Sequence, residues 1–230
     1  MAKVKYGEMI SDMRGKINGT VHSKNRYGSY MKKKQGANAS NTTSQSAVRN
    51  LFSYLTKNWK ALTASQRNSW LQGVASFKRL NSLADSITLT GSNLYIALNR
   101  NLQAISASLI TSCPNPTTTT DLTSASVTGD VSDAKIELTF APTVPAGTAM
   151  LIKASAPQSA GVSNAKTAMR IIGTKAAAQT SPQDITALYE AVFGTGWKVA
   201  GVKLFVDVQT ISTTTGIPAT KFRTNAIVTA

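Results

Sequence analysis

Glycine interrupts the first 36 residues at Gly7, Gly15, Gly19, Gly28 and Gly36, a recurrence every four to nine residues that excludes a stable helix. Each such glycine costs about 1 kcal/mol relative to alanine inside a helix. Between them lie two short β-favouring stretches, residues 16–23 (KINGTVHS) and residues 27–31 (YGSYM). Asn18-Gly19 is a hairpin dipeptide of the type I′ kind. Residues 1–34 therefore read as an extended arm with room for one hairpin and too little apolar surface to fold alone. Segments of this composition order against a partner and lose conformational entropy in doing so. The small, polar tract at residues 35–43 suits a hinge. Residues 1–43 are thus assigned to an extended basic arm and hinge.

The same segment is strongly basic. Formal net charge is +15, and residues 1–105 hold 16 Lys and Arg against 3 Asp and Glu, whereas residues 106–230 hold 9 against 7. The densest part is residues 1–34, with Lys3, Lys5, Arg14, Lys16, Lys24, Arg26, Lys32, Lys33 and Lys34 against Glu8 and Asp12. Such asymmetry marks one half of the chain for a polyanion or an acidic protein surface. The candidate partner-binding residues are Arg14, Lys16, Lys24, Arg26, Tyr27, Tyr30, Lys32, Lys33 and Lys34.

Residues 44–112 have helical periodicity. Val48, Leu51, Phe52, Leu55, Trp59 and Leu62 fall on one face, with Arg49, Lys57 and Lys60 off it. Thr63-Ala64-Ser65-Gln66 has the pattern of a capping box, so one helix ends near Ala61 and a second starts at Thr63, forming an αα-hairpin. The second helix carries Trp70, Leu71, Val74 and Phe77, and Trp59 and Trp70 are expected to share a core. Residues 86–91 alternate like a short strand. A third helix is expected after Ser92 as N-cap, through Leu94, Tyr95, Leu98, Leu102 and Ile105.

At residues 113–120 (CPNPTTTT) the composition changes to a semi-extended linker. Beyond it, residues 122–128, 135–140, 149–155, 166–173, 201–212 and 221–228 read as strands separated by turn signals. Ser181-Pro182-Gln183-Asp184 supplies an N-cap, an N1 proline and an acidic first turn for one inserted helix, with Leu188, Val192 and Phe193 as its apolar face. Gly194 reads as its stop. The expected fold class is α+β: basic arm, small helical module, and a β-sandwich-like, fibronectin-like domain over residues 121–230.

The inventory for chemistry is sparse. Cys113 is the only cysteine, so an intrachain disulfide or a cysteine-based metal cluster is excluded. His22 is the only histidine and has no nucleophile motif near it. The ten carboxylates are scattered, and there is no Walker A or dinucleotide-binding fingerprint. No catalytic, cofactor or metal site is expected, and no enzyme. No apolar run approaches the roughly 20 residues needed to cross a bilayer, and the basic N-terminus is not followed by the apolar stretch of a signal peptide. The expectation is a protein assembled in a cytoplasm.

Residues 15–30 (GKINGTVHSKNRYGSY), Arg49, residues 59–70 (WKALTASQRNSW) and residues 89–95 (LTGSNLY) together resemble structural proteins of tailed phages of Bacteroidota, crAss-like phages included. The run W-x-x-L-T-x-x-Q-R-x-x-W is the most specific element, and the resemblance covers residues 5–115. One departure is Ala-Asn-Ala-Ser-Asn at residues 37–41, where such proteins often carry a proline-containing link. The resemblance implies a virion component. The resemblance does not give the place on the particle; the partners expected for the basic arm are other virion proteins (capsid, portal or neck), in multiple symmetric copies, through acidic surfaces complementary to it. The alternative is a nucleic-acid-binding virion protein, its cations on phosphates and its arm tyrosines stacked on bases.

Overall fold

The computed structural model describes residues 2–36, 42–81, 83–176 and 178–230. The chain divides into two compact units, residues 1–96 and 97–230. The hinge expected at residues 35–43 falls largely on residues 37–41, outside the described residues.

In the first unit the basic segment is extended, but as a four-stranded antiparallel sheet. Its strands are β1 (Ala2–Lys3), β2 (Gly15–Ile17), β3 (Thr20–Asn25) and β4 (Gly28–Lys33), in the order β1-β4-β3-β2. The hairpin at Asn18-Gly19 is present, pairing Ile17 with Thr20. Its positive φ sits on Asn18 (+49°) and not on Gly19, whereas a type I′ turn needs it at both. Asparagine is among the few residues whose short polar side chain tolerates that region. A second hairpin turns through Arg26-Tyr27, with Gly28 at φ +102° and the Tyr27 N–H donating to Asn25 Oδ1 at 2.9 Å. No described residue from 2 to 36 is fully buried, so this sheet has register without a core.

Helix α1 (Thr43–Ala61) and helix α2 (Ala64–Gly73) are separated by Leu62-Thr63, and both begin with a capping box. Gln66 N–H donates to Thr63 Oγ1 at 3.3 Å while Thr63 N–H donates to Gln66 Oε1 at 2.9 Å. Thr63→Ala removes one of these bonds and is expected to lower stability by about 1 kcal/mol in urea denaturation, with the fold retained. Strands β5 (Arg79–Leu80) and β6 (Ser86–Ile87) pair as a minimal ribbon before helix α3 (Gly91–Ala104). The cap of α3 is Thr90, two residues before the expected Ser92. Asn93 N–H donates to Thr90 Oγ1 at 3.1 Å, and Leu94 N–H to the Thr90 carbonyl. Trp70 and Tyr95 are buried, with ring centroids 5.3 Å apart and edge to face; half-buried Trp59 meets Tyr95 from another side at 5.5 Å. Leu55, Leu62, Val74 and Leu94 complete this core. The expected apolar face of α1 is only half used, because Val48 and Phe52 are 66% and 57% exposed.

The second unit is a β-sandwich with an inserted helix. Strands β7 (Ser124–Asp130) and β8 (Lys135–Ala141) form one sheet with β11 (Gln183–Asp184), in the order β11-β8-β7. Strands β9 (Thr148–Ala154), β10 (Arg170–Lys175), β12 (Lys203–Ser212) and β13 (Phe222–Ile227) form the other, in the order β10-β9-β12-β13. Alternate residues of each sheet meet in one core: Val127, Ile136, Leu138 and Phe140 against Met150, Ile152, Leu204 and Val206. Asp207, buried in β12, is held by a forked ion pair from Arg223 across the ladder, at 2.6 and 2.8 Å. That pairing offsets the cost of removing a carboxylate from water.

The inserted helix α4 (Thr186–Phe193) starts later than Ser181-Pro182-Gln183-Asp184 implied. Gln183 and Asp184 instead pair with Leu138 and Glu137 of β8, and Ser181 Oγ accepts from Phe140 N–H. Sheet pairing outcompetes the local cap. Asp184 still serves the helix entrance: hydrogen bonds from the Thr186 hydroxyl and N–H hold its carboxyl below the usual range. Tyr189 of α4 is buried, and its hydroxyl donates to the Ser155 carbonyl at 2.8 Å. The helix stops where expected, with Gly194 at φ +71°.

The Pro/Thr stretch at residues 113–120 has no regular structure but is tied down within the second unit. Thr119 Oγ1 donates to the Ile217 carbonyl at 2.8 Å, and Thr210 Oγ1 to the Thr120 carbonyl at 2.7 Å. Asn101 Nδ2 donates to the Gly216 carbonyl at 2.9 Å, so the end of α3 also belongs to this unit. The boundary between compact units at Ile96/Ala97 thus differs from the composition change at residues 113–120.

Candidate docking face of the N-terminal sheet

Two hairpins fix where the arm's cations lie. The first puts Lys16 level with Val21, and the second puts Val21 level with Lys32. Side chains level across adjacent strands share a face, so Lys16 and Lys32 flank Val21 on one side of the sheet. Lys34 N–H donates to the Gly19 carbonyl at 2.7 Å and continues the alternation beyond β4. A shallow depression results, lined by Lys16, Val21, Lys32, Lys33, Lys34 and Gln35.

No carboxylate lines this depression, and among the described residues its four lysines have no ion pair. Two ammonium groups about 10 Å apart in water repel by only about 0.4 kcal/mol, which the sheet tolerates. A carboxylate brought to about 4 Å of one of them gains about 1 kcal/mol in water, and more once water is excluded. The cluster therefore costs little unoccupied and gains most on contact with acid.

The other expected site residues are dispersed. Arg14 is paired with Asp12 at 3.0 Å. Lys24, level with Ser29, lies three residues or about 10 Å along the ladder from Lys32, and Arg26 is farther still, in the turn of the β3–β4 hairpin. Tyr27 lies there too and is engaged: Asn93 Nδ2 donates to its hydroxyl at 3.3 Å, Lys3 Nζ lies 5.9 Å from its ring centroid, and Lys3 also donates to its carbonyl. Tyr30 shares the Lys16 and Lys32 face, level with Ser23 and Lys3. Val21 and Gln35 were not among the expected residues, although the two turns suffice to place Val21. Lys5 is taken up by Asp85 at 2.8 Å, and hydrogen bonds from Lys5 and then Asn81 hold the Asp85 carboxyl below its ordinary range.

Elsewhere the chemistry is thin. Among the described residues no three His, Cys, Asp or Glu groups are placed to hold a metal ion, and no helix is long and apolar enough to cross a membrane. Cys113 is half-buried, and burial pushes its thiol up. His22 Nδ1 is buried and has no hydrogen-bond partner among the described residues.

The second unit has the seven-strand arrangement of a three-on-four antiparallel sandwich, a fold class shared by many binding and structural domains. No protein-family model and no curated protein matches the chain. Among solved structures, an Fn3-like protein from Clostridium thermocellum is similar at 18% identity and a TM-score of 0.30, covering 50% of this chain and 97% of that one.

Proposed function

We propose that this chain is a non-enzymatic structural subunit of a tailed-phage particle that docks through its basic N-terminal sheet on an acidic surface of a capsid, portal or neck protein. The observation that carries the reading is the preformed depression of Lys16, Lys32, Lys33 and Lys34, free of carboxylates, on a sheet with no core of its own. A small sheet without a packed hydrophobic face has little stability of its own and gains it from another surface. The resemblance of residues 5–115 to virion proteins supplies the setting. Tyr27 already has partners within the chain, Asn93 at its hydroxyl and Lys3 over its ring, which weighs toward protein docking; Tyr30, on the lysine face, is the tyrosine through which the nucleic-acid alternative would act.

The test is a triple reversal of Lys32, Lys33 and Lys34 to Glu, compared with reversal of Lys153, Lys166 and Lys175 in the second unit. The first is expected to reduce incorporation into particles about tenfold or more, with circular dichroism unchanged, and the second to have little effect. Equal losses would overturn docking through the arm. Steep salt dependence of binding to nonspecific DNA would favour the genome as partner instead.

A further inference from the structure

Helix α1 carries one apolar stripe, Val48, Phe52, Leu55, Trp59 and Leu62, at alternating spacings of four and three residues. Its C-terminal half is covered: Leu55 and Leu62 are buried, and Trp59 packs on Tyr95. Its N-terminal half is the same stripe left in water, with Val48 and Phe52 one turn apart and both mostly exposed. Tyr54, off the stripe, is 49% exposed as well. Single exposed apolar residues need no explanation, but a ridge continuous with a packed seam does.

We infer that the Val48–Phe52 half of α1 is a docking surface for an acidic amphipathic helix of another protein, independently of what the arm binds. The shape follows from helix packing: two large side chains at i and i+4 form the ridge that seats in the groove of a second helix. The sign of the partner follows from charge. No Asp or Glu occurs from Met13 to Ala84, and Arg49, Lys57 and Lys60 lie on α1 itself. A second copy is disfavoured, because residues 1–96 hold 15 Lys and Arg against 3 Asp and Glu and would meet their own charge. An anionic membrane is disfavoured because the C-terminal half of the stripe is already covered, with Leu55 and Leu62 buried and Trp59 on Tyr95, leaving too little apolar area to insert.

The probe is a labelled synthetic helix about five turns long, with leucines on one face and glutamates on its flanks, titrated into the full chain. Saturable binding is expected, weakened about tenfold by Phe52→Ala and similarly by Val48→Ala. A lysine-flanked peptide with the same leucines should bind at least tenfold more weakly. Both residues are exposed, so each variant should keep the wild-type melting temperature; the two substitutions check one another. Binding unchanged by both substitutions, or equal for the two peptides, overturns the inference. So does a dimer in sedimentation, or adsorption to phosphatidylserine vesicles, that Phe52→Ala abolishes. Loss of peptide binding in the Lys32, Lys33, Lys34 reversal but not in Phe52→Ala would place the acidic helix on the arm, overturning this inference while leaving the arm's docking role standing.

Discussion

Replacing Trp70 with alanine is expected to destabilise the first unit by about 3–5 kcal/mol, the range for removing a large aromatic from a packed core. Its side chain is 0% exposed and stands edge to face on Tyr95 at 5.3 Å, so the substitution removes both buried area and an oriented ring contact. The helices around it cannot collapse easily onto the gap, because Gly91 already brings the start of α3 against the α2 backbone. A Cβ built on Gly91 would lie 3.2 Å from the Leu71 nitrogen. Small domains have only about 5–15 kcal/mol in total, so much of the unit's stability rests on this ring. Trp59→Ala should cost distinctly less, since Trp59 is half-buried. Urea denaturation followed by near-ultraviolet circular dichroism measures both, and equal midpoints for Trp70→Ala and wild type would refute the assignment of Trp70 as the keystone of the core.

Gly216→Ala is expected to have the next largest effect, about 3 kcal/mol, from two additive causes. The backbone there has φ +70°, which costs a non-glycine residue about 1–2 kcal/mol. The new Cβ would also lie 2.5 Å from the Leu98 carbonyl oxygen and 3.0 Å from Leu102 Cγ, and overpacking of this kind adds about 1–3 kcal/mol. Gly147 separates the two causes. It has φ +81° with nothing within 4 Å of its Cβ position, so Gly147→Ala should show the strain alone. Thermal melts of the two variants in the full chain would test this, and a Gly216→Ala effect no larger than that of Gly147→Ala would mean that the contact relaxes freely.

Much of the local architecture was readable where a signal is satisfied by its own neighbours. The capping box at Thr63 and the stop at Gly194 involve residues within one turn of each other, and both form. The Asn18-Gly19 turn sets the Lys16–Val21 pairing and so places Lys16, one of the four lysines of the depression; the other three depend on the β3–β4 pairing. Signals that distant partners can override were misread. Ser181-Pro182-Gln183-Asp184 has a helix-start composition, but β8 claims Gln183 and Asp184 for its ladder. Thr90 displaced Ser92 as a cap because both are competent and only the approach of the chain decides. Amphipathicity announced that the α1 stripe seeks cover, but not that Val48 and Phe52 would go without it. That Tyr27 is met by Asn93 at its hydroxyl and by Lys3 over its ring was not readable, because both contacts depend on how distant segments fold together.

The absence of any buried residue from 2 to 36 means that turns, rather than a core, meter the spacing of the arm's positive charges. Lys32 and Lys34 repeat at about 7 Å, the interval between alternate residues of an extended chain, and Lys16 is brought alongside by a two-residue bend. The electrostatic pattern is thus stored in conformation as much as in composition. A neutral substitution at Asn18 or Gly28 would redraw it while leaving the net charge of +15 untouched.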